Sequence, residues 1–521
     1  MPIPVIDLFA GPGGLGEGFS SYTNGSSTPF QIALSIEKDT AAHKTLKTRA
    51  LLRQFKNEIP EEYYDFLRSD RSGFSEYLDS RLFKDQIRNA ELEAQNLELG
   101  PDNKIIANLI RERLKRKPFV LIGGPPCQVY STDGRSRMKG IEGFENDERH
   151  FLYKLYLNVI AEFEPEVFVF ENVKGILSSK YEGQKIFKVL KEDPSNPGSA
   201  VNEGSGNRLR YNIYSFTCSE DPFLPGLAEL SPSDFVIKSE NYGIPQKRHR
   251  VILLGIRDDL GVKHDQNYIL NESPPFSTED AIKDLPNLRS RISTGSDNFE
   301  NWKLVLRKLP EMIQNFLPEL NNELHNVISQ LEGRKYEPNS GGRFIAKKIS
   351  KDRGSGEFVK KNWEWFHDER IGGVVNSETK SHQALDLWIY LWCSTYAKVY
   401  LRSPKLYDFP EIILPKHKGV IDAYKNGKKI PRSDKFRVQL RKEPSNTITS
   451  HLFRDGHQFI HYDPLQCRSL TPREAARIQT FPDNYFFEGS RTKQYEQIGN
   501  AVPPLLARQL ANTVFQIMKD L

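Results

Sequence analysis

Cysteine is scarce in this chain, with four residues in 521, at positions 127, 218, 393 and 467. No two of them share the C-x-x-C spacing of a zinc site or a redox pair, which argues against a structural metal and a disulfide scaffold and for a reducing compartment. Long apolar runs are missing too. No stretch approaches the roughly 18 residues of a membrane span, and the amino terminus enters a strand pattern almost at once, so the expectation is a soluble cytoplasmic protein with no membrane partner. An excess of one charge is also lacking. The 73 Lys and Arg stand against 68 Asp and Glu, a net charge of +5, so any affinity for a polyanion has to come from a local basic face. There is no internal repeat.

Glycine-rich turns between apolar runs are what the chain does have. Pro4 to Phe9 reads as a buried strand, and Ala10, Gly11, Pro12, Gly13, Gly14, Leu15 and Gly16 follow as a turn into a helix, where missing side chains let backbone approach a ligand closely. No Gly-Lys-Ser/Thr follows, which excludes a P-loop, and the spacing departs from the G-x-G-x-x-G dinucleotide fingerprint. A second strand, 31–36, ends in Glu37, about 20 positions on, where an acidic side chain can bond ribose hydroxyls. The apolar run 119–122 leads through two glycines to Pro125-Pro126-Cys127-Gln128, a thiol on a loop stiffened by paired prolines. Apolar residues at 152, 155, 156, 159 and 163 recur at helical spacing, Pro165 stops the helix, and a buried strand 167–170 ends in Glu171. Cys127 and Glu171 should therefore share one edge of a parallel sheet with the glycine turn.

Taken together these residues resemble the S-adenosylmethionine-dependent DNA (cytosine-5) methyltransferases. Asp7-Leu8-Phe9-Ala10-Gly11 with Gly13 and Gly14 is similar to that family's first cofactor motif, Glu37 to its ribose carboxylate, and Gly124-Pro125-Pro126-Cys127-Gln128 to its nucleophile motif. Glu171-Asn172-Val173, Gln246-Lys247-Arg248-His249-Arg250 and Gln497-Ile498-Gly499-Asn500-Ala501-Val502-Pro503-Pro504 follow in the family's order. The resemblance covers roughly residues 1–50, 119–258 and 440–521.

It implies an α/β fold, a Rossmann-like methyltransferase sheet with a second, irregular target-recognition domain. It also implies S-adenosyl-L-methionine as cofactor, with S-adenosyl-L-homocysteine as product. Phe9, Ala10, Gly11, Gly13, Gly14 and Leu15 would hold the cofactor from the first turn, with Glu37, Lys38, Pro126, Leu152, Asn500 and Val502 around it. Cys127 would add as thiolate to C6 of cytosine, which makes C5 an enamine carbon able to attack an electrophilic methyl group. Glu171 would protonate N3, Arg250 would bond O2, and Arg248 stands beside them. The target base has to leave the duplex to reach this chemistry. Gln128, Ser131 and Arg135, on a loop 129–143 like the family's mobile active-site loop, and Gln246 would touch DNA. Two departures stand out: Val129-Tyr130-Ser131 replaces the common Gly-Phe-Ser, and no residue can be assigned to the cofactor's adenine amine, because a charged insertion, 51–117, occupies that connection.

The expected division is a catalytic domain at 1–258 carrying that insertion, a target-recognition domain at 259–440, a return at 441–470, and a C-terminal part at 471–521 that completes the catalytic domain. A basic stretch, Arg343, Lys347, Lys348, Lys351, Arg353, Lys360 and Lys361, is a candidate for phosphate contacts. The partner expected is double-stranded DNA, bound by a monomer, with a cognate restriction endonuclease acting separately. An RNA cytosine methyltransferase, disfavoured by the long variable region, a catalytically silent DNA-binding relative, disfavoured by intact Cys127, Glu171 and Arg250, and a nicotinamide oxidoreductase, disfavoured by the glycine spacing, are the alternatives.

Overall fold

Strand β1 (Ile3–Leu8) is buried on both faces, and apolar apart from Asp7, as a strand covered by helices on both sides tends to be. The computed structural model describes residues 2–55, 58–125, 152–178, 180–181, 184–185, 210–218, 230–262, 268–313, 316–334, 337–352, 354–454 and 456–521. After β1 come α1 (Gly14–Ser20), β2 (Phe30–Ile36), α2 (Thr40–Gln54), α3 (Glu61–Arg68), α4 (Lys84–Glu93), β3 (Ala94–Gln95), α5 (Asn103–Leu114) and β4 (Val120–Gly123). Then follow α6 (Leu152–Phe163), β5 (Val167–Val173), β6 (Tyr211–Tyr214), β7 (Val236–Lys238) and β8 (His249–Arg257). The sheet order is β3-β2-β1-β4-β5-β8-β6, with β7 also on β8. The first five strands pair in parallel, and β8 runs antiparallel to β5, β6 and β7. This is the Rossmann-like sheet expected from the sequence.

Alternation along the strands builds two cores. Ile6, Leu8, Leu34, Ile36, Leu121, Phe168 and Phe170 face α5 and α6 through Ile106, Ile110, Tyr156 and Ile160. Val5, Ile32, Val120, Ile122, Val167 and Val169 face α1 and the C-terminal helix (Pro504–Lys519) through Leu15, Phe19, Leu506, Leu510 and Val514. The terminal helix thus returns to the first strand's side of the sheet. Strand order reverses between β1 and β4, which opens a crevice at their carboxyl ends.

The chain divides into two compact units, one of residues 1–60, 72–274 and 501–521, the other of 61–71 and 275–500. These boundaries differ from the expected ones in three places, the first being that residues 259–274 cluster with the first unit rather than with the expected recognition domain. Residues 471–500 cluster with the second unit, and only 501–521 returns to the first. The segment 61–71, inside the charged insertion, also belongs to the second unit. There Tyr63, Tyr64, Phe66 and Leu67 of α3 are buried, Tyr64 donates its hydroxyl to Asp368 at 2.8 Å, and the Arg370 guanidinium lies 4.3 Å above the Tyr64 ring.

The second unit's core lies between α7 (Phe299–Met312), α8 (Pro318–Glu332) and α9 (Ala384–Tyr400), where Trp302, Leu306, Leu324, Val327, Leu387 and Trp392 meet. The apolar stretch 385–400 makes up α9. Beyond it come α10 (Lys418–Lys425), α11 (Pro472–Ile478) and α12 (Arg491–Asn500). Thr471 caps α11, its hydroxyl accepting from the Glu474 amide in a capping box. Buried Arg468 and Arg477 neutralise Glu474, and Asp284 with Asp483. Among the described residues no helix is long and apolar enough to cross a membrane.

Candidate active site

Register across the parallel strands lines up the chemistry. Leu8 pairs with Ile36 and with Gly123, and Gly123 pairs with Phe170. The next residues, Phe9, Glu37, Gly124 and Glu171, therefore form one row along the carboxyl edge of β2, β1, β4 and β5. With strands about 4.8 Å apart, Glu37 and Glu171 stand three steps, roughly 14 Å, from each other.

Glu37 closes the glycine turn. Its carboxylate accepts the Gly11 amide at 2.8 Å and the Asp39 amide at 2.7 Å. Burial raises its pKa, and those two amides and Lys38 partly offset the rise. Ala10 donates to the Ile36 carbonyl at 3.0 Å, so the turn is tied to the end of β2 twice. Phe9 takes a left-handed φ of 58° and Gly13 one of 99°. Gly14 begins α1 against Val502, whose carbonyl oxygen would lie 2.4 Å from any Cβ placed there, so the turn and the segment before the terminal helix are packed backbone to backbone. Leu15 is buried behind them. Lys38 points outward to an ion pair with Glu98 at 2.7 Å. Leu152 opens α6, half-buried, and Asn500 ends α12 in the second unit, exposed.

At the other end of the row, Arg250 Nε stands 3.0 Å from Glu171 Oε1, a charge contact without the alignment of a hydrogen bond. β8 delivers it: Ile252 pairs with Glu171 and Arg250 with Val173. Arg248, two residues earlier, is fully buried, and burial together with the Arg250 charge pushes its pKa down while Glu171 opposes the shift. The Arg248 carbonyl accepts the Ser239 hydroxyl and amide. Gly124 lies against Glu171, and the Asn172 side chain donates to the Pro125 carbonyl at 3.2 Å. Glu171, Asn172 and the start of the Pro-Pro loop are thus one packed corner. Gln246 is fully buried. Pro126, Cys127, Gln128, Ser131 and Arg135, with the whole of the 129–143 loop, lie outside the described residues.

One residue, Asn96, escaped the sequence reading, and another, Asp7, was read only as part of the glycine-turn motif. Asn96 follows β3 and donates its amide to the carbonyls of Glu37 and Lys38, at 2.8 and 3.0 Å; the two-residue strand before it is too short to give a periodicity. Asp7 ends up fully buried near the start of α1, with no well-aligned donor to either oxygen. Burial drives its pKa from 3.8 to about 8, against the pull of Arg53 and the Gly16 amide and with help from Glu37 and Glu93. Among the described residues no three His, Cys, Asp or Glu side chains come together as a metal site.

A family model for C-5 cytosine-specific DNA methylases matches residues 96–198 and 233–516. A type II methyltransferase, M.Bpa9945I of Bacillus paralicheniformis, is 32% identical over 535 residues, covering 99% of each chain. M.AgeI of Thalassovita gelatinovora, also a type II methyltransferase, is 25% identical over 98% of each, and the DNA (cytosine-5-)-methyltransferase M.ApeKI of Aeropyrum pernix is 26% identical over 77% of this chain and 81% of its own. A crystal structure described as a DNA modification methyltransferase encoded in an E. coli prophage superposes with a TM-score of 0.52 at 20% identity over 99% of both chains, which speaks to the fold. With the ordered motifs, the sheet and these matches in agreement, the chain belongs to the C-5 cytosine-specific DNA methylase family and is a DNA (cytosine-5-)-methyltransferase.

Proposed function

We propose that this enzyme methylates C5 of a cytosine flipped out of a specific duplex sequence, through a covalent bond between Cys127 and C6. The observation that supports this most is the Glu171, Arg250 and Gly124 corner. Cys127 follows Pro125 by two residues, which span at most about 7 Å, so covalent connectivity keeps the thiol near that corner. The Cys127 thiolate adds to C6, and the electron density released into the ring is met at N3 by a proton from Glu171 and at O2 by the Arg250 guanidinium. C5 is then nucleophilic. Loss of the C5 proton afterwards restores the C5–C6 double bond and expels the sulfur.

The residues present fit S-adenosyl-L-methionine. No described atom lies within 4 Å of where a Cβ on Gly11 would be, so the turn leaves open space beside the half-buried Glu37 carboxylate. Gly11, Gly13, Gly14 and Val502 would hold the cofactor by backbone, Glu37 its ribose, and the Asn96 side-chain oxygen its adenine amine. When bound, the cofactor supplies an electrophilic methyl group. Gln128, Ser131 and Arg135 would contact DNA, whereas Gln246, expected to do so from the sequence, is fully buried and would not, and the second unit would select the sequence, since the row of motif residues is committed to chemistry. The type II relatives support a role as the modification enzyme of a restriction-modification pair whose endonuclease is a separate protein.

A duplex carrying 5-fluorocytosine, incubated with enzyme and S-adenosylmethionine, should trap a covalent adduct at Cys127, because fluorine does not leave as the proton does. The Cys127→Ser variant should form none. Near wild-type methylation by that variant, or an adduct mapped to Cys218, overturns the assignment.

A further inference from the structure

The basic stretch expected to meet phosphates, 343–361, is partly occupied inside the protein. Arg343 lies over the Phe66 and Phe486 rings at 5.0 and 4.2 Å, Lys347 donates to the Asp284 carbonyl at 2.6 Å, and Lys360 pairs with Glu357 at 3.0 Å. A different segment is open. Residues 416–435 carry seven basic side chains against two acidic ones, an excess of +5 that equals the net charge of the whole chain.

This segment is anchored on one side only. Val420, Ala423 and Tyr424 of α10 pack against the second unit's core, the Tyr424 hydroxyl donates to the Phe409 carbonyl at 2.9 Å, and Ile430 is buried just after the helix. Lys416, Lys418, Lys425, Lys428, Lys429 and Arg432 are exposed. At Gly427, with φ of 61°, the chain reverses, and the Lys428 amide bonds back to the Ala423 carbonyl at 2.8 Å, a helix closure that sets Lys428 and Lys429 beside the helix end. Lys425 has Glu411 at 2.8 Å. For Lys416, Lys418, Lys428, Lys429 and Arg432 no acidic partner stands among the described residues. Lys428, Lys429 and Arg432 follow the helix end, while Lys416 and Lys418 stand at its start, where the helix dipole does not favour cations, so together they make a local positive field that attracts an anion.

We propose that α10 and the turn after it form a surface for the DNA phosphodiester backbone, one that holds the duplex without reading its sequence. The proposal rests on the DNA-modifying reading above. Lysine suits this task, because a mobile point charge can meet a phosphate without base geometry.

The test is equilibrium binding of a substrate duplex between about 50 and 200 mM KCl, for the full-length enzyme and a Lys418→Gln, Lys428→Gln, Lys429→Gln triple variant. Each lost phosphate contact takes about 0.9 from the slope of log affinity against log salt. The triple variant should lose about two to three slope units, with S-adenosylhomocysteine affinity and the methylated sequence unchanged. A Lys360→Gln variant, whose lysine is paired with Glu357, should keep the wild-type slope. An unchanged slope in the triple variant overturns the surface, as does a change confined to structured RNA. A wild-type enzyme that binds no duplex overturns the underlying reading as well.

Discussion

A methyl group added to Gly124 would stand 2.8 Å from Glu171 Oε2 and 3.4 Å from the Glu171 carbonyl oxygen. The Pro-Pro loop leaves β4 so close to the carboxylate that a side chain at 124 would have to push the Glu171 carboxylate aside. Gly124→Ala should force one of them aside, costing about 1–3 kcal/mol of stability and, because Glu171 itself moves, more than tenfold in methylation rate. Thermal unfolding and single-turnover kinetics read the two effects. A rate within twofold of wild type would show that the corner has slack.

Glu37 has two tasks, since the carboxylate that faces the glycine turn also holds it through Gly11 and Asp39. Glu37→Gln retains one acceptor and replaces the other with a donor, leaving one amide without a partner at a cost of about 1–3 kcal/mol. S-adenosylhomocysteine titrated calorimetrically should bind at least tenfold more weakly, while duplex affinity stays near wild type. Equal losses of both affinities would count against assigning this edge to the cofactor.

Asp7 makes stability depend on pH. Its folded pKa, about 8, lies above the ordinary 3.8 because burial disfavours the charge. The folded state therefore holds a proton that the unfolded chain releases, so this contribution is fully present below about pH 4 and is lost as pH rises through about 8. Asparagine has no such dependence. Melting temperatures from about pH 5 to about pH 9 should show Asp7→Asn gaining on wild type as pH rises. Parallel curves would mean that Arg53 keeps Asp7 ionised throughout.

His382 acts in the opposite direction in the second unit. Burial, with Lys380, His457 and Arg491 nearby, lowers its pKa from 6.5 to about 3, and Asp386, 3.9 Å away, does not restore it. The unfolded chain takes up a proton that the folded one refuses, so stability falls as pH drops from 6.5 toward about 3, by up to about 1.4 kcal/mol per unit. His382→Asn should flatten that acid limb in denaturant titrations at stepped pH. An unaltered limb would assign it to other groups, His461 first, whose pKa is pushed down to about 4.

Strand ends were the legible part of the site. Glu37 and Glu171 stood out because each follows an apolar run long enough to be a buried strand, and the register then sets them on one edge. The helix expected at 152–163 is α6. Asn96 was hidden because β3 is two residues long. The ionisation of Asp7 was hidden because it depends on Arg53, Glu37 and Glu93, brought to it by tertiary folding. Linear charge density misled for Arg343 and Lys347, since sequence does not say whether a cation meets an aromatic ring, a carbonyl or water. The second unit offered the least, because its short strands and buried arginines draw their partners from distant positions.

The placement of α3 has a practical bearing on gene engineering. A specificity transplant cut as one cassette, 275–500, leaves behind the eleven residues that the second unit takes from the insertion, and with them the Tyr64 ring under Arg370 and the Phe66 ring under Arg343. The donor's half would arrive with a vacant socket, with Arg370 stripped of the Tyr64 ring and Arg343 left with Phe486 alone. A working exchange has to carry two pieces of DNA, and splitting the gene at either junction after residue 60 divides a folding unit between the fragments.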